Sequence, residues 1–258
     1  MDAPPDGGTT VDDNQDVAGS LDLAFDEAAG RYDLLTGLNP GYHRHLSVAA
    51  GLLAERIGPP PEVLLDLGCG SGSSTVALQA VAPRARIVGV DASAGMLARA
   101  RVKPWTARVE FHTATAQQLR RLDLPTADGV LAAYLLRNVP EPERDAVLAA
   151  IREQLRPGGW LAVHEYSVAG RRGARWRWTV VCRAVVVPLS RLVGGSPPLY
   201  RYLWRSVLDF DSTESVLQRL RRAGFTEVSH HEVKGWQRGI LHTFLARRPD
   251  DGGAGTTG

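Results

Sequence analysis

The sequence predicts an α/β fold: a doubly wound, mostly parallel seven-stranded sheet with a C-terminal antiparallel hairpin and a helical cap insertion. Two observations carry this. Short apolar runs alternate with amphipathic segments along most of the 258 residues, the pattern of successive βαβ units. Directly after the first apolar run stands "LLDLGCGSGSS", Leu64 to Ser74, with three glycines in five residues. A turn that bare opens a helix at the carboxyl edge of a parallel sheet.

Taken in order, "EVLLDL" (62–67), "RIVGVD" (86–91), "RVEFHT" (108–113), "DGVLAAY" (128–134) and "GWLAVHEY" (159–166) have the length and composition of buried strands. Between them "STVALQAVA" and "ERDAVLAAIREQL" show helical spacing, the second stopped by Arg156-Pro157-Gly158-Gly159. After residue 166 the rhythm changes. "DSTESVLQRLRRAG" reads as a helix with Asp211 at its N-cap, Glu214 at the capping-box position and Gly224 as its stop. "FTEVSHHEV" and "ILHTFLARR" then read as the closing hairpin.

A hydrophobic content of 44% over this length suits one domain. Its expected extent is residues 19–248, with the cap at 168–210, between an acidic tail at 1–18 and a second tail at 249–258. Both tails are rich in Gly, Asp and Thr, lack apolar periodicity and read as disordered. The first 20 residues carry five Asp and no Lys or Arg, so the net charge of +2 hides a basic body in which residues 21–248 hold 30 basic and 21 acidic groups. Cys69 and Cys182 are too few for a disulfide framework, and no Cys/His cluster has zinc-ligand spacing, so no metal is expected. The first apolar residues are scattered among aspartates and no apolar run is long enough to span a bilayer, which gives a cytoplasmic protein as the expectation.

The glycine loop narrows the function. A nicotinamide fingerprint needs its third glycine at position 73, where serine stands; the pattern is instead an acid, Asp66, followed by Gly68, Gly70 and Gly72. Nineteen residues past Gly72 the second strand ends in Asp91, placed to accept hydrogen bonds from two ribose hydroxyls. By itself the loop reads equally as an ordinary tight turn, with Asp66 capping it. Loop, Asp91 and parallel-sheet pattern together resemble the class I S-adenosylmethionine-dependent methyltransferases. Further segments, "AFDEAAGRYDLLTG", "YLLRNVPEPER", "LRPGGWLAVHEYS", "LYRYLWRSV" and "RGILHTF", are similar in order to the ubiquinone/menaquinone biosynthesis C-methyltransferase family, from Phe25 to Arg248.

That resemblance implies a Rossmann-like methyltransferase fold and S-adenosyl-L-methionine as cofactor. It implies that Asp66 organises the glycine loop, that Gly68, Cys69, Gly70 and Ser71 meet the cofactor there, and that Asp91, Ala92 and Met96 meet it at the second turn. Thr115, Ala116 and Ala133 complete the set, and Tyr32 lies in an N-terminal helix that closes over the cofactor. The sequence departs from the family at four of these neighbourhoods: Thr115 and Thr36 stand where Asn is usual, Leu46 where Trp is, and His164 where an aliphatic residue is.

Arg137 and Asn138 fall, by the same resemblance, beside the acceptor hydroxyl. A guanidinium stays protonated at any working pH, so Arg137 suits stabilising a phenolate with water relaying the proton, and Asn138 suits orienting the same oxygen. The competing reading pairs Arg137 with Glu141 or Glu143 at a helix start and leaves Asn138 as a cap. His164 at the end of a strand is a chemically sensible general base, but alternation sets it opposite Val163 and Glu165, and a structural histidine is the competing role.

From Tyr166 to Leu208 there is no acidic residue, while residues 171–205 contain eight Arg and three Trp. Snorkelling arginines and interfacial tryptophans suit a cap that touches anionic membrane at its inner face and admits a lipophilic substrate; a plain helical lid is the alternative. No nucleic-acid recognition module is present in the pattern. The expected partners are a small, lipophilic aromatic acceptor, with peripheral membrane contact and a homodimer as further options. Three functions stay open: C-methylation of a quinol-like or other lipophilic ring, O-, N- or C-methylation of a soluble secondary metabolite, and a non-catalytic methyltransferase-fold subunit of a lipid-modifying assembly.

Overall fold

The computed structural model describes residues 41–188 and 197–251. The tail at 1–18, the segment with Tyr32 and Thr36, and residues 252–258 lie outside the described residues. Helix α1 (Tyr42–Ile57) leads into β1 (Val63–Leu67), α2 (Ser73–Val81), β2 (Arg86–Asp91), α3 (Ala94–Arg101), β3 (Arg108–Thr113), β4 (Ala127–Ala133), α4 (Arg144–Gln154) and β5 (Leu155–Tyr166). Then come α5 (Arg172–Val181), continued by a π-helical turn (Cys182–Val186), α6 (Pro197–Leu208), α7 (Thr213–Arg222), β6 (Thr226–Glu232) and β7 (Leu241–Arg247).

The seven strands lie in the order β3-β2-β1-β4-β5-β7-β6. β1 to β5 run parallel, and only β7 is reversed, pairing antiparallel with both β5 and β6. The chain winds outward from β1 through β2 to β3, then returns to the other side of β1 with β4. That reversal opens a crevice at the carboxyl ends of β1 and β4, where doubly wound sheets bind ligands.

Strand alternation builds two cores. Leu64, Ile87 and Leu131 face α1, which contributes Leu46, Ala49 and Leu53. Their neighbours Leu65, Val88 and Val130 face the opposite side, covered by Val147, Leu148 and Ile151 of α4 and Val216 and Leu220 of α7. One residue of register therefore separates the two faces. β5 begins earlier than its apolar run indicates, because Leu155 already pairs with Ala127 while Trp160 pairs with Gly129. Arg156-Pro157-Gly158-Gly159 ends the helix as expected and then forms the bulge between these pairs, the position in a sheet where Pro is tolerated.

The N-cap of α7 differs from the sequence expectation. Ser212, not Asp211, caps the helix, its side chain accepting from the Ser215 amide, and Glu214 instead accepts from Gln218 one turn on. Asp211 is committed elsewhere: it takes Arg219 Nε at 2.7 Å and Arg144 Nη1 at 3.2 Å. Arg219, buried at 8% exposure, also reaches Asp145 of α4 and Glu141. Arg144 donates to the carbonyls of Leu136 and Val139 at 3.2 and 3.0 Å and lies over the Phe210 ring. These two guanidiniums clamp the β4–α4 loop, residues 134–143, onto the start of α7. Removing Arg219 leaves Asp211 poorly solvated and poorly paired, so Arg219→Ala is expected to lower unfolding free energy by about 3 kcal/mol, read from urea melts, while Arg221→Ala on the exposed face changes it by less than about 0.5 kcal/mol.

Candidate active site

The glycine loop between β1 and α2 is tied to the end of β2. Gly68 and Cys69 donate to the Val90 carbonyl at 2.8 and 3.2 Å, and Gly70 donates to Asp91 Oδ2 at 2.8 Å. Asp91 Oδ1 accepts from the Ser93 amide at 2.9 Å. Asp91 thus fastens the loop to the end of β2 and lines the cavity beside it. Gly70 at φ +52° and Gly72 at φ +89° occupy the left-handed region, and a Cβ on Gly72 would come 3.0 Å from Trp105. A side chain is excluded there twice over, by conformation and by space.

Around this loop opens one cavity. Gly68, Cys69, Gly70, Ser71, Asp91, Ala92, Met96, Thr115, Ala116, Ala133, Arg137 and Asn138 all line it, together with Tyr42, Leu46, Leu119, Tyr134, Leu135 and Val139. Asp66 does not. It is fully buried beneath the loop, and its Oδ2 accepts from Ser74 and Thr75 at 2.8 and 2.6 Å, fixing the first turn of α2. Burial raises its pKa from the usual carboxyl range to about 7, against the pull of the two hydroxyl donors. Tyr32 lies outside the described residues.

The far wall is set by Tyr134, the residue after β4. Its φ of +57° is a left-handed conformation that costs a bulky residue about 1–2 kcal/mol. The turn it makes presents its carbonyl to Arg137 Nη1 at 3.2 Å and to Asn138 Nδ2 at 3.1 Å. Arg137 is buried and paired with Glu165 at 2.7 Å. It is therefore Glu165, at the end of β5, that holds Arg137, not Glu141 or Glu143 as the competing sequence reading had it. Asn138 Oδ1 is a buried acceptor with no hydrogen-bond partner among the described residues. The guanidinium stands 5.4 and 5.9 Å from the rings of Tyr134 and Tyr166. Tyr42, Tyr134, Tyr166 and Trp178 form a continuous aromatic column, with successive centroids 5.5, 5.2 and 4.9 Å apart.

His164 is not among the cavity's lining residues. It is wholly buried behind Tyr134, edge-on to that ring at 5.3 Å, with Nδ1 on Thr243 Oγ1 at 2.9 Å. Burial lowers its pKa to about 3, so it stays neutral and lies outside the space an acceptor could reach. Sequence reasoning did not assign Tyr42, Tyr134 or the Glu165 anchor. Glu165 carries a signal: a lone acid in the apolar run "GWLAVHEY" must find a cation if it is buried.

A bare backbone cradle, an acid at the end of the second strand and apolar flanks in Met96 and Leu119 fit a nucleoside with a charged methionyl tail. Fold and cavity together define an S-adenosylmethionine-dependent methyltransferase. The chain belongs to the ubiE/COQ5 methyltransferase family, whose model matches residues 13–246. It is 32% identical over 217 residues to a demethylmenaquinone methyltransferase of Clavibacter sepedonicus, covering 83% of this chain and 86% of that one. It is 31% identical over 214 residues to a ubiquinone/menaquinone biosynthesis C-methyltransferase of Syntrophotalea carbinolica, covering 82% and 88%. In fold it is similar to a Burkholderia thailandensis 1,6-didemethyltoxoflavin-N1-methyltransferase, with a TM-score of 0.59 and 18% identity over 96% of this chain and 95% of that one.

Two outcomes are expected. Asp91→Ala loses charge-assisted ribose bonds and a loop anchor, and should weaken S-adenosylhomocysteine binding by about 2 kcal/mol in calorimetry; unchanged affinity would remove Asp91 from the site. His164 has a folded pKa of about 3 against 6.5 unfolded. Its contribution is fully present above pH 6.5 and is lost as pH falls, because the unfolded chain binds the proton first. His164→Gln should therefore flatten the fall in stability between pH 6.5 and 4 by about 3 kcal/mol, while buried His242, lowered to about 4, still contributes a slope of the same sign.

Proposed function

We propose that this enzyme methylates a ring carbon of a lipophilic, quinol-like acceptor, and that Arg137 and Asn138 act on the acceptor's hydroxyl. The observation that carries this is the buried Arg137, anchored by Glu165 at 2.7 Å and lying at the cavity wall beside two stacked tyrosine rings. Bound S-adenosylmethionine supplies a methyl group that is already electrophilic on its sulfonium. What the chain must add is alignment of the acceptor and a means of making its carbon electron-rich.

Asp91 would hold the ribose hydroxyls, the bare backbone of the glycine loop would lie against the methionyl end, and Met96 and Leu119 would flank the adenine. Across the cavity the aromatic column offers flat apolar surface for a ring. Asn138 Oδ1 would accept the acceptor's hydroxyl proton as a hydrogen bond and so fix the ring's rotation. As that proton passes to a relaying water, the Arg137 guanidinium stabilises the growing negative charge where bulk solvent is excluded and one such donor counts most. The ring carbon, once methylated, releases its own proton to water so that the ring regains aromaticity. The demand on Glu165 is geometric: it prevents the guanidinium from turning away.

Membrane proximity belongs to the same proposal. No helix among the described residues is long and apolar enough to cross a membrane, and a lipophilic acceptor of the kind proposed would be met at a lipid surface. The acid-free cap, with Trp176 at 67% exposure, suits the inner face of the bilayer.

The direct assay is incubation with isotopically labelled S-adenosylmethionine and a short-chain prenylated naphthoquinol lacking the ring methyl, with fragment masses locating the label. Label on oxygen, or none, would overturn the reading. Arg137→Ala should slow single-turnover transfer by roughly 10²-fold or more with cofactor affinity little changed. Arg137→Lys keeps a charge against Glu165 and so keeps the fold, but a point charge cannot reproduce the planar fork, and rescue should be partial. Full activity per folded molecule in the Lys variant would give Arg137 a structural role only.

A further inference from the structure

Away from the cavity, the cap meets the β6–β7 turn in a shallow cleft walled by Arg171, Arg177 and Arg238, with Glu232 and Gly239 between them. Arg171 Nη1 donates to Glu232 Oε1 at 2.5 Å, Arg238 Nε stands 4.0 Å from Oε2, and Arg177 Nη2 donates to the Arg238 carbonyl at 2.7 Å. The floor is Gly239: a Cβ there would lie 3.2 Å from Arg171 Nη1 and 4.0 Å from Arg177 Nη2. Two guanidiniums thus converge on one bare patch of backbone.

The charge balance decides the kind of ligand. His230, Glu232 and His242 bring ligand-type atoms within 4.8 Å of one another, an arrangement that could suggest a divalent metal. But Glu232 is already neutralised by Arg171, and three guanidiniums face a single carboxylate, so a cation is repelled and an anion attracted. A planar guanidinium presents paired N–H donors that match phosphate oxygens.

The surroundings decide the source of that anion. Trp176 and Trp236, at 67% and 40% exposure, flank the cleft in sequence on its two elements. From Trp176 an exposed apolar stripe runs through Val180 to Val185. The spacing of four and then five residues follows one face because the helix widens into its π-helical turn at Cys182–Val186. Arg172, Arg175 and Arg183 are exposed along the same segment. Exposed aromatics and snorkelling arginines, with Glu232 as the cleft's one acid and already paired with Arg171, make a surface for the headgroup layer of a bilayer, and not for a soluble phosphate metabolite.

We propose that Arg171, Arg177 and Arg238 bind the phosphate of an anionic lipid headgroup, seating the cap on the membrane with Trp176, Val180 and Val185 in the interface. The inference rests on the reading of a lipophilic acceptor met at a bilayer. It gives the cap a specific phosphate contact in addition to general attraction.

The test is flotation of the full chain with vesicles of phosphatidylcholine alone and of phosphatidylcholine with one quarter phosphatidylglycerol. Arg177→Gln/Arg238→Gln is compared with Arg84→Gln/Arg121→Gln, which removes the same charge from exposed positions elsewhere. A basic residue near an anionic surface is worth about fivefold in partition. The wild type should float only with the anionic vesicles, the cleft pair should lose at least about tenfold, and the remote pair less than about threefold. Equal losses in both pairs would overturn the cleft while leaving membrane attraction intact. Release of the protein by millimolar inorganic phosphate at matched ionic strength would identify a soluble anion and overturn the lipid assignment. No flotation at all would overturn the proposal, and transfer to a detergent-solubilised short-chain quinol then shows separately whether the acceptor reading stands. Both doubly substituted variants should keep wild-type melting temperature and wild-type transfer to that solubilised acceptor.

Discussion

A guanidinium and a carboxylate buried 2.7 Å apart, with side chains 6% and 0% exposed, form the interaction around which the β4–β5 half of the cavity is arranged. Neither charge could stay in that position alone, because the cost of desolvating an unpaired ion there is several kcal/mol. Glu165 also accepts from the Tyr166 amide at 3.0 Å and from the Arg137 amide at 3.4 Å. The pair therefore joins the carboxyl ends of β4 and β5 side chain to side chain and side chain to backbone. The left-handed turn at Tyr134 is the conformational cost of this arrangement, since only that turn aims its carbonyl at both Arg137 and Asn138. Arg144 holds the same loop from the other side through two carbonyls. A segment gripped from both sides positions its functional groups without help from a ligand.

The cofactor half is held differently, by backbone. There the donors are amides of the glycine loop, and the acids divide their labour by depth. Asp91 lies at the cavity and binds amides with both oxygens; Asp66 lies beneath, with burial lifting its pKa to about 7, and orients α2 through two hydroxyls. An acid buried beneath the loop and engaged by two hydroxyls acts as a structural acceptor. The two halves meet along the Tyr42 and Tyr134 rings, stacked at 5.5 Å, so α1 closes over the cavity by packing on the same residue that sets the catalytic loop.

Much of this was legible from residues alone. β2 and β3 have the bounds of their apolar runs, and the loop–Asp91 pair is a local spacing that fixes a cofactor class because both parts sit on adjacent strand ends. What stayed hidden was non-local. Arg137 and Glu165 are 28 residues apart, and nothing near Arg137 distinguishes that carboxylate from Glu141 or Glu143, which are closer in sequence but on the outer surface. Asp211 is a good N-cap by type and position, yet it lies between Arg144 and Arg219, and two buried cations outweigh one amide; Ser212 then takes the cap. His164 was ambiguous because alternation states only which residues share a face. The packing of α1 makes its face the closed one.

Topology also assigns the two approaches to the cavity. The glycine loop, Asp91 and Met96 occupy the β1–β2 side, which the cofactor would fill, so an acceptor has to enter from the β4–β5 side. That side is covered by the cap: the aromatic column runs from Tyr134 through Tyr166 to Trp178 of α5, and Tyr202 of α6 lies close enough to Arg137, Arg144 and Glu165 to feel their charges. Trp178 in turn donates to the Trp204 carbonyl at 3.3 Å, so the two cap helices are tied to each other where they meet the column. An aromatic substrate sliding under such a cap stays in contact with rings throughout and meets its first fixed charge only at Arg137. Under the proposed function, the cap's apolar interior and its arginine-studded exterior serve one requirement, that a greasy ring leave lipid and reach a buried guanidinium without crossing water.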